Sequence, residues 1–347
     1  MIGFHFVENE YTDAQVAKHF DLLNATKPAA ITILGGAQYN EAFSFAKRAK
    51  QAFPAMRVIF RHWKDDGDNG MHTRLTADDW WEKIGKLYVG SNLTILTDNE
   101  SMADDLGYYA RWQARAMELA SKNAVSLAVG RFSTHNPPSA QWSQLDPMWW
   151  ALAEYGELHV WSPNVYFSDT NLDGLSHIFG GWRRCSDLEI RTPVTIIGEF
   201  AYLRDIKDAH NGYRSVKMGG EDYANLLLKR YGNGLQAAGV PVCVYSIGEW
   251  PIKADTFSLD DGALNVLRSR LLPVSIDPKP LPPIPPEPPK PEPPKPEPPK
   301  EPEMTPLQAA LTALKLVNEQ LLLLTQALQD IHKLNAMVIQ KIENGGI

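Results

Sequence analysis

The 347-residue chain has few cysteines, no excess of positive charge and no long apolar run. Its two cysteines, Cys185 and Cys243, cannot form a disulfide framework, and Cys243 lies in the apolar segment VPVCVYSI, where a thiol behaves as a small hydrophobe. The formal net charge is -7, and no run of Lys or Arg alternates with aromatic residues. The composition therefore argues against a nucleic-acid partner.

Signals for membrane insertion and export are also missing. No stretch approaches the roughly 20 uninterrupted apolar residues that a membrane helix needs. The first residues, MIGFHFVENE, lack the basic and long apolar regions of a secretion signal. We therefore expect a soluble protein with no membrane partner, either cytoplasmic or released by lysis or carried on a larger particle.

Common metal and nucleophile motifs are absent as well. The sequence has no HEXXH, no paired CXXC and no GXSXG element, which removes support for metalloprotease, zinc and serine hydrolase chemistry. The segment KDDGDNG at 64–70 lacks the alternating acidic positions and the distal glutamate of a calcium loop. We expect a solvated turn there, no metal site and no cofactor.

Proline is concentrated in one segment, residues 278–303, which repeats a PPKPE-like unit. Proline lacks a backbone donor and fixes φ, so this linker favours extended polyproline II. At about 3.1 Å per residue it forms a semi-rigid spacer on the order of 80 Å long. A proline-rich ligand for a signalling domain is the alternative interpretation.

The last segment, residues 304–347, has a helical pattern with Thr305 as N-cap and Pro306 at the first helical position. Alternating steps of three and four reach Leu307, Ala310, Leu314, Val317, Leu321, Leu324, Leu328, Ile331, Asn335, Val338 and Ile342. This repeat, with one polar position, predicts self-association through a coiled coil of two, three or four helices. Docking of an amphipathic helix on the first domain is the alternative.

Residues 1–277 alternate apolar, β-branched runs with segments of helical period. The eight runs are IGFHFV (2–7), AAITIL (29–34), RVIFRH (57–62), LTILT (93–97), VSLAVG (125–130), LHVWS (158–162), VTIIGEF (194–200) and PVCVYSI (241–247). Strands that alternate with helices pair in parallel, and continuous apolar runs indicate burial on both faces. The pattern predicts a (β/α)8 TIM barrel. A doubly wound open sheet is the second choice, and no Gly-rich phosphate fingerprint follows the first strand.

Polar and aromatic residues cluster at the ends of these runs. In a (β/α)8 barrel the active site lies at the carboxyl ends of the strands. The residues at those positions are Glu8, Arg61, His62, Trp63, Asp98, Asn99, Glu100, Trp161, Asn164, Tyr166, Glu199, Glu249 and Trp250.

Two of these carboxylates, Glu100 and Glu199, follow strands on opposite sides of an eight-membered ring. Glycosidic cleavage needs one acid to protonate the leaving oxygen and one carboxylate to attack the anomeric carbon, about 5 to 5.5 Å apart in retaining enzymes. Asn99 is placed to bind a sugar hydroxyl. Tyr166 or Arg61 is placed to hold Glu199 ionised, while the nearby second acid would raise the pKa of Glu100.

The motifs at these strand ends resemble those of a known clan. Asn-Glu after strand four, Glu in strand seven, Tyr after strand six and Trp after strand eight are similar to the retaining glycoside hydrolases of cellulase-like and β-glycosidase-like type. The resemblance covers the barrel and implies Glu100 as acid/base, Glu199 as nucleophile, Asn99 as hydroxyl ligand, Tyr166 as partner of the nucleophile, His62 as a sugar contact and Trp250 as the platform under the cleaved sugar. Cellulase-like members carry an arginine after strand two. Here LGGAQY stands there, and Arg61 is the candidate substitute.

Structural roles are the alternatives for the same residues. Glu100 precedes SMADDLGYY, where an acidic side chain suits the start of a helix. Glu8 and Glu249 are expected to be supporting or loop charges. His5 and His62 are more often hydrogen-bonded structural histidines than ligands.

The ten tryptophans divide between packing and binding. Trp80 and Trp112 fall in helical segments and are expected to pack in the core. Trp63, Trp161 and Trp250 are the candidates for stacking on sugar rings.

Taken together, these patterns predict a retaining glycoside hydrolase that cleaves β-glycosidic bonds in a polysaccharide or a cell-surface or cell-wall glycan. Oligomerisation would present several heads to a repetitive substrate and raise avidity. A phage-like, virion-associated protein is one context for it. The alternatives are a non-catalytic carbohydrate-binding barrel and a structural barrel displayed on an oligomerising stalk.

Overall fold

A computed structural model describes residues 2–8, 11–36, 38–63, 70–99, 105–132, 136–168, 174–202, 212–232, 235–247 and 258–271. Several predictions from the sequence lie outside these residues. They concern Glu100, Glu249, Trp250, most of the loop at 64–70, the proline-rich linker and the C-terminal helix.

The described residues contain nine β-strands in one parallel sheet. They are β1 (Ile2–Phe6), β2 (Ala30–Leu34), β3 (Arg57–Arg61), β4 (Thr94–Leu96), β5 (Ser126–Val129), β6 (Val160–Trp161), β7 (Asn164–Phe167), β8 (Ile197–Tyr202) and β9 (Val242–Ile247). The order across the sheet is β6-β5-β4-β3-β2-β1-β9-β8-β7. All eight predicted strands are present, and β7 is an additional strand.

The sheet closes through residues 160–167, which contain β6 and β7. On one side β6 pairs with β5, and on the other side β7 pairs with β8. Trp161 also forms a parallel bridge with Thr195: its amide donates to Val194 O, and its carbonyl accepts from the Ile196 amide, both at 2.9 Å. β6 and β7 are therefore two halves of one barrel strand. The predicted barrel is confirmed, and an open doubly wound sheet is excluded.

Helices follow most of the strands. They are α1 (Asp13–Thr26), α2 (Tyr39–Ala52), α3 (Met71–Arg74), α4 (Ala77–Lys83), α5 (Leu106–Ser121), α6 (Asp146–Tyr155), α7 (Gly174–Asp187), α8 (Gly220–Gly232) and α9 (Asp261–Leu271). Side-chain caps set several starts. Thr12 forms a capping box with Gln15 before α1, and Asp105 accepts the Tyr108 amide before α5. These caps satisfy amides that have no partner inside the helix.

The core has two layers of different composition. Between sheet and helices lie large side chains, including Trp80 and Trp112, which pack in the core as predicted. Their ring centroids are 5.7 Å apart. Inside the barrel the buried cluster consists of Ala30, Ile59, Leu96, Ala128, Val160, Ile196 and Cys243. The interior is therefore filled by side chains from successive strands, as in a packed barrel rather than a pore.

No helix among the described residues is both long enough and apolar enough to span a bilayer.

Candidate active site

Glu199 is the centre of the candidate site. It lies on β8 and is only 4% exposed. The Arg61 guanidinium, at the end of β3, donates from Nη1 to Glu199 Oε1 at 2.8 Å. The Tyr166 hydroxyl, on β7, donates to Oε2. Strands from three parts of the barrel thus converge on one buried carboxylate, and each of its oxygens has a protein donor.

A β-bulge turns Glu199 toward the barrel interior. Ile197 is opposite Val242 on β9. Phe200, three residues later, is opposite Val244, only two residues further along β9. Since Ile197 and Phe200 both pack in the helix-side core, the extra residue breaks the usual alternation and frees Glu199 to face inward.

Arg131, directly after β5, is a second buried guanidinium inside the barrel. It is fully buried and donates from Nη2 to Ser162 Oγ at 3.0 Å and from Nε to Ser162 O at 3.4 Å. A Cβ built on Gly198 would lie 2.1 Å from Arg131 Nη2, so the guanidinium packs on the residue preceding Glu199. The sequence prediction missed Arg131, although its position after a strand was an available signal.

His5 on β1 completes the surroundings of Glu199. Its ring is fully buried and lies 5.0 Å from the Tyr245 ring, while Nδ1 is 3.7 Å from Glu199 Oε1. Burial first, and then the charges of Arg61 and Arg131, hold the pKa of His5 well below its usual value. Among the residues that the structure describes, neither ring nitrogen has a partner within hydrogen-bond distance. The prediction that His5 is a hydrogen-bonded structural histidine is therefore wrong.

Two buried asparagines lie near the same end of the barrel. Asn99, after β4, forms a parallel bridge with Arg131, after β5. Asn164 on β7 is in register with Glu199 on β8. The bridge extends the β4–β5 pairing to Asn99. The sugar contact of Asn99 stays a prediction.

Asp98 has a structural partner on α3. Its Oδ2 lies 2.7 Å from Nδ1 of His72 on α3, and both side chains are buried. Burial raises the pKa of Asp98, while the hydrogen bond to His72 acts in the opposite direction. This contact links α3 to the residue that follows β4 and gives Asp98 a structural role. Glu100 is the other carboxylate of the DNE segment.

His62 and Trp63 lie on the β3 side of the site. His62 Nδ1 is 2.5 Å from the Tyr88 hydroxyl, which in turn is 2.6 Å from the Tyr39 hydroxyl. The imidazole thus belongs to an aromatic cluster and is partly exposed. Trp63 is partly exposed, and its amide donates to Arg61 O. The predicted sugar contacts of both residues stay predictions.

The prediction that Trp161 stacks on a sugar is wrong. Its ring is fully buried on the helix side of the barrel, 5.1 Å from the Trp149 ring and 6.1 Å from the Trp142 ring. Its indole N–H donates to Gly130 O at 3.2 Å. Neither face is open to a ligand. The residue follows an apolar run, and the alternation of the strand sends its side chain outward.

Glu8 pairs with a histidine on α1. Its Oε1 lies 2.9 Å from Nε2 of the buried His19 on α1. This contact agrees with the expected supporting role of Glu8.

Within the described part of the chain, no group of three or more His, Cys, Asp or Glu side chains is arranged to hold a metal ion. The side chains that meet at the site are a carboxylate, which accepts, and a guanidinium and a phenol, which donate.

Comparisons with known proteins find structural likeness without sequence likeness. No family model matches the chain, and a search of curated proteins finds no match. The catalytic domain of a Thermobifida fusca endoglucanase is 13% identical, with a TM-score of 0.48 over 78% of this chain and 91% of that chain. An endo-1,4-β-D-mannanase of Thermotoga petrophila is 12% identical, with a TM-score of 0.48 over 78% of this chain and 98% of that one. An endo-β-1,4-glucanase of Xanthomonas axonopodis pv. citri is 13% identical, also with a TM-score of 0.48, over 78% and 98% of the two chains. At these values the likenesses carry no argument about the reaction.

Proposed function

We propose that the chain is a retaining glycoside hydrolase that cleaves β-glycosidic bonds of a polysaccharide or of a cell-surface or cell-wall glycan. Glu199 is the nucleophile and Glu100 the acid/base in this proposal. The observation that carries it is the buried Glu199 carboxylate, turned into the barrel by a bulge and oriented by Arg61 and Tyr166. A buried charge is costly unless it is paired, and such pairing at a barrel's carboxyl end is what a positioned nucleophile requires.

The reaction follows in two balanced steps. A Glu199 oxygen attacks the anomeric carbon while the glycosidic C–O bond breaks and the Glu100 proton passes to the leaving oxygen. Water then attacks the same carbon, gives its proton to Glu100 and breaks the glycosyl ester, which restores the Glu199 carboxylate. Two inversions give net retention. Asn99 binds the hydroxyl next to the reacting carbon, and Trp63 and Trp250 are the remaining stacking candidates.

The test compares the wild type with Glu199→Gln and Glu100→Gln on aryl β-glycosides and a panel of polysaccharides. We expect turnover in the wild type and a loss of roughly a thousandfold or more in each variant, since each removes one half of the chemistry. Glu157→Gln is the matched control, because Glu157 is an exposed partner of Arg191 and should leave activity unchanged.

Azide distinguishes the two roles. With an activated aryl glycoside and azide, Glu199→Gly is expected to release the α-glycosyl azide and Glu100→Gly the β-glycosyl azide, because the anion replaces the nucleophile or the second-step water. The opposite pattern would exchange the two assignments. Absence of turnover on the whole panel, with sugar affinity equal in wild type and Gln variants, would support the carbohydrate-binding alternative.

A further inference from the structure

We propose that His5 is a positioning residue for Glu199: its Nδ1–H donates to Oε1 and so leaves Oε2 as the attacking oxygen. The inference rests on the proposed function and adds a residue and an atom to it. Arg61 and Tyr166 account for one donor on each oxygen. They do not determine which oxygen attacks.

The position of His5 gives the first argument. It lies on the inner side of β1, opposite Tyr245 on β9, with no exposed surface. Neither of its nitrogens has a hydrogen bond to any described residue. A buried polar group without a partner destabilises the fold, and an apolar ring of similar size would avoid that loss. Packing therefore does not explain a histidine here. Glu199 Oε1, 3.7 Å from Nδ1, is the carboxylate oxygen that its ring can reach.

The protonation state gives the second argument. The charged and titratable groups facing His5 are Glu199 on β8, Arg61 on β3, Arg131 after β5 and Tyr245 on β9. Burial and the two guanidinium groups disfavour the imidazolium, so His5 carries a single proton. A lone pair on Nδ1 would repel the carboxylate. The proton therefore belongs on Nδ1.

The distance gives the third argument. Nδ1 and Oε1 are 3.7 Å apart, and a normal hydrogen bond needs a closure of about 0.7 Å. A carboxylate that moves toward a substrate can make this adjustment. Oε1 would then have two donors, Arg61 and His5, which occupy both of its lone pairs. Oε2 keeps one lone pair beside the Tyr166 hydroxyl, and that pair forms the bond to the anomeric carbon.

Three variants of the full chain test the proposal through kinetics. In His5→Asn the side-chain amide nitrogen takes the place of Nδ1, and in His5→Gln it takes the place of Nε2. In His5→Phe an aromatic ring remains but both nitrogens are lost. We expect His5→Phe and His5→Gln to lower kcat by roughly 10- to 100-fold with KM nearly unchanged, whereas His5→Asn stays within a few-fold of wild type. The control His19→Asn, which faces Glu8 instead, should keep the wild-type kcat.

Stability separates positioning from a structural role. His5→Phe is expected to keep or raise Tm while it lowers kcat, because it removes two unsatisfied nitrogens. Wild-type kcat in His5→Phe would overturn the proposal. Equal activity of the Gln and Asn variants would do the same.

A spectroscopic readout does not depend on turnover. In the full chain labelled with ¹⁵N-histidine, the His5 resonances are identified as those that disappear in His5→Asn. We expect a neutral ring with the proton on Nδ1 at about pH 6.5, where half of the free imidazole side chains would be charged. An Nε2–H tautomer or an imidazolium would refute the role of His5 and leave the hydrolase intact. An inactive wild type with an Nδ1–H ring would refute the hydrolase and still support the contact with Glu199.

Discussion

Single buried residues set how this barrel responds to acid, and His159 is the clearest case. The Leu127 amide donates to its Nδ1 at 3.1 Å, so the ring proton is on Nε2. Nε2 faces Ser121 Oγ at 2.8 Å and Met117 O at 3.2 Å. Burial lowers the pKa of His159 to about 4, and the Arg57 charge acts in the same direction. A proton on Nδ1 would also break the bond to the Leu127 amide.

We therefore predict that His159 makes the fold less stable in acid. Its folded pKa is below the unfolded value of about 6.5, so the unfolded chain binds the extra proton. The contribution is complete above about pH 6.5 and is lost as the pH falls to about 4, by on the order of 3 kcal/mol. The measurement is the free energy of unfolding in urea between pH 4 and 7.

The comparison with His159→Asn isolates this effect. The Asn oxygen can still accept the Leu127 amide but does not titrate, so the variant should be less stable at pH 7 and show a pH slope smaller by about one proton. The raised pKa of Asp98 changes the stability with pH in the opposite direction, and the lowered pKa of His5 changes it in the same direction. Both residues are present in the wild type and in the variant, so their contributions cancel in the comparison. Equal slopes in the two proteins would contradict the prediction.

At the scale of elements, the bulge in β8 has to accommodate both Glu199 and Arg131. We predict that Gly198→Ala destabilises the protein by about 1–3 kcal/mol through overpacking, because the new Cβ would lie 2.1 Å from Nη2 and 2.4 Å from Cζ of a fully buried guanidinium. Activity should fall as well, since Arg131 cannot move without disturbing the site. Urea unfolding and kcat measure the two effects.

Gly232→Ala is the matched control. This glycine is the last residue of α8, and a Cβ there would meet nothing nearer than Gln236 Oε1 at 4.0 Å. Alanine has the higher helix propensity, so stability should be unchanged or slightly higher. Wild-type stability of Gly198→Ala would mean that the guanidinium is not confined as the structure places it.

The same elements show how far the sequence predicts the fold. Eight apolar runs at regular spacing are enough to predict the parallel strands, because burial on both faces leaves a continuous signal. The polar residues at the ends of the third and seventh apolar runs likewise identify Arg61 and Glu199. The break of one strand into β6 and β7 was not predictable, since the closure depends on hydrogen bonds to residues 194–196, more than thirty positions away.

The missed residues have a common physical cause. A bulge changes the face of the strand on which a side chain lies. The sequence IIGEF contains no pattern that predicts an extra residue in this strand relative to its neighbour. Trp161 has a related cause: its neighbour Val160 faces the barrel interior, so strand alternation places Trp161 on the helix side. Arg131 and His5 are buried ionisable groups in or beside apolar runs, where the default expectation is packing. Their role depends on long-range contacts with Gly198 and Glu199.

At the scale of the whole molecule, we propose that residues 278–303 separate the barrel from a coiled coil at 304–347. The proposal rests on the sequence pattern, since only one position of the apolar repeat, Asn335, is polar. A sustained repeat of this kind buries its apolar seam only against another helix. A second copy of the same chain has an identical helix, so its apolar positions align with those of the first copy.

Self-association is tested by size-exclusion chromatography with light scattering, which measures the mass of the eluting particle. We predict a mass of two to four chains for the full protein and of one chain for residues 1–277. Leu324→Lys places a charge in the apolar seam and should dissociate the oligomer. Gln326→Lys lies on the side of the helix opposite the seam and should leave the mass of the oligomer unchanged.

If the full chain is an oligomer, its apparent affinity for a repetitive polysaccharide should exceed that of residues 1–277, while both cleave a short aryl glycoside equally well per barrel. Equal masses for the full chain and for residues 1–277 would refute the coiled coil and, with it, the avidity.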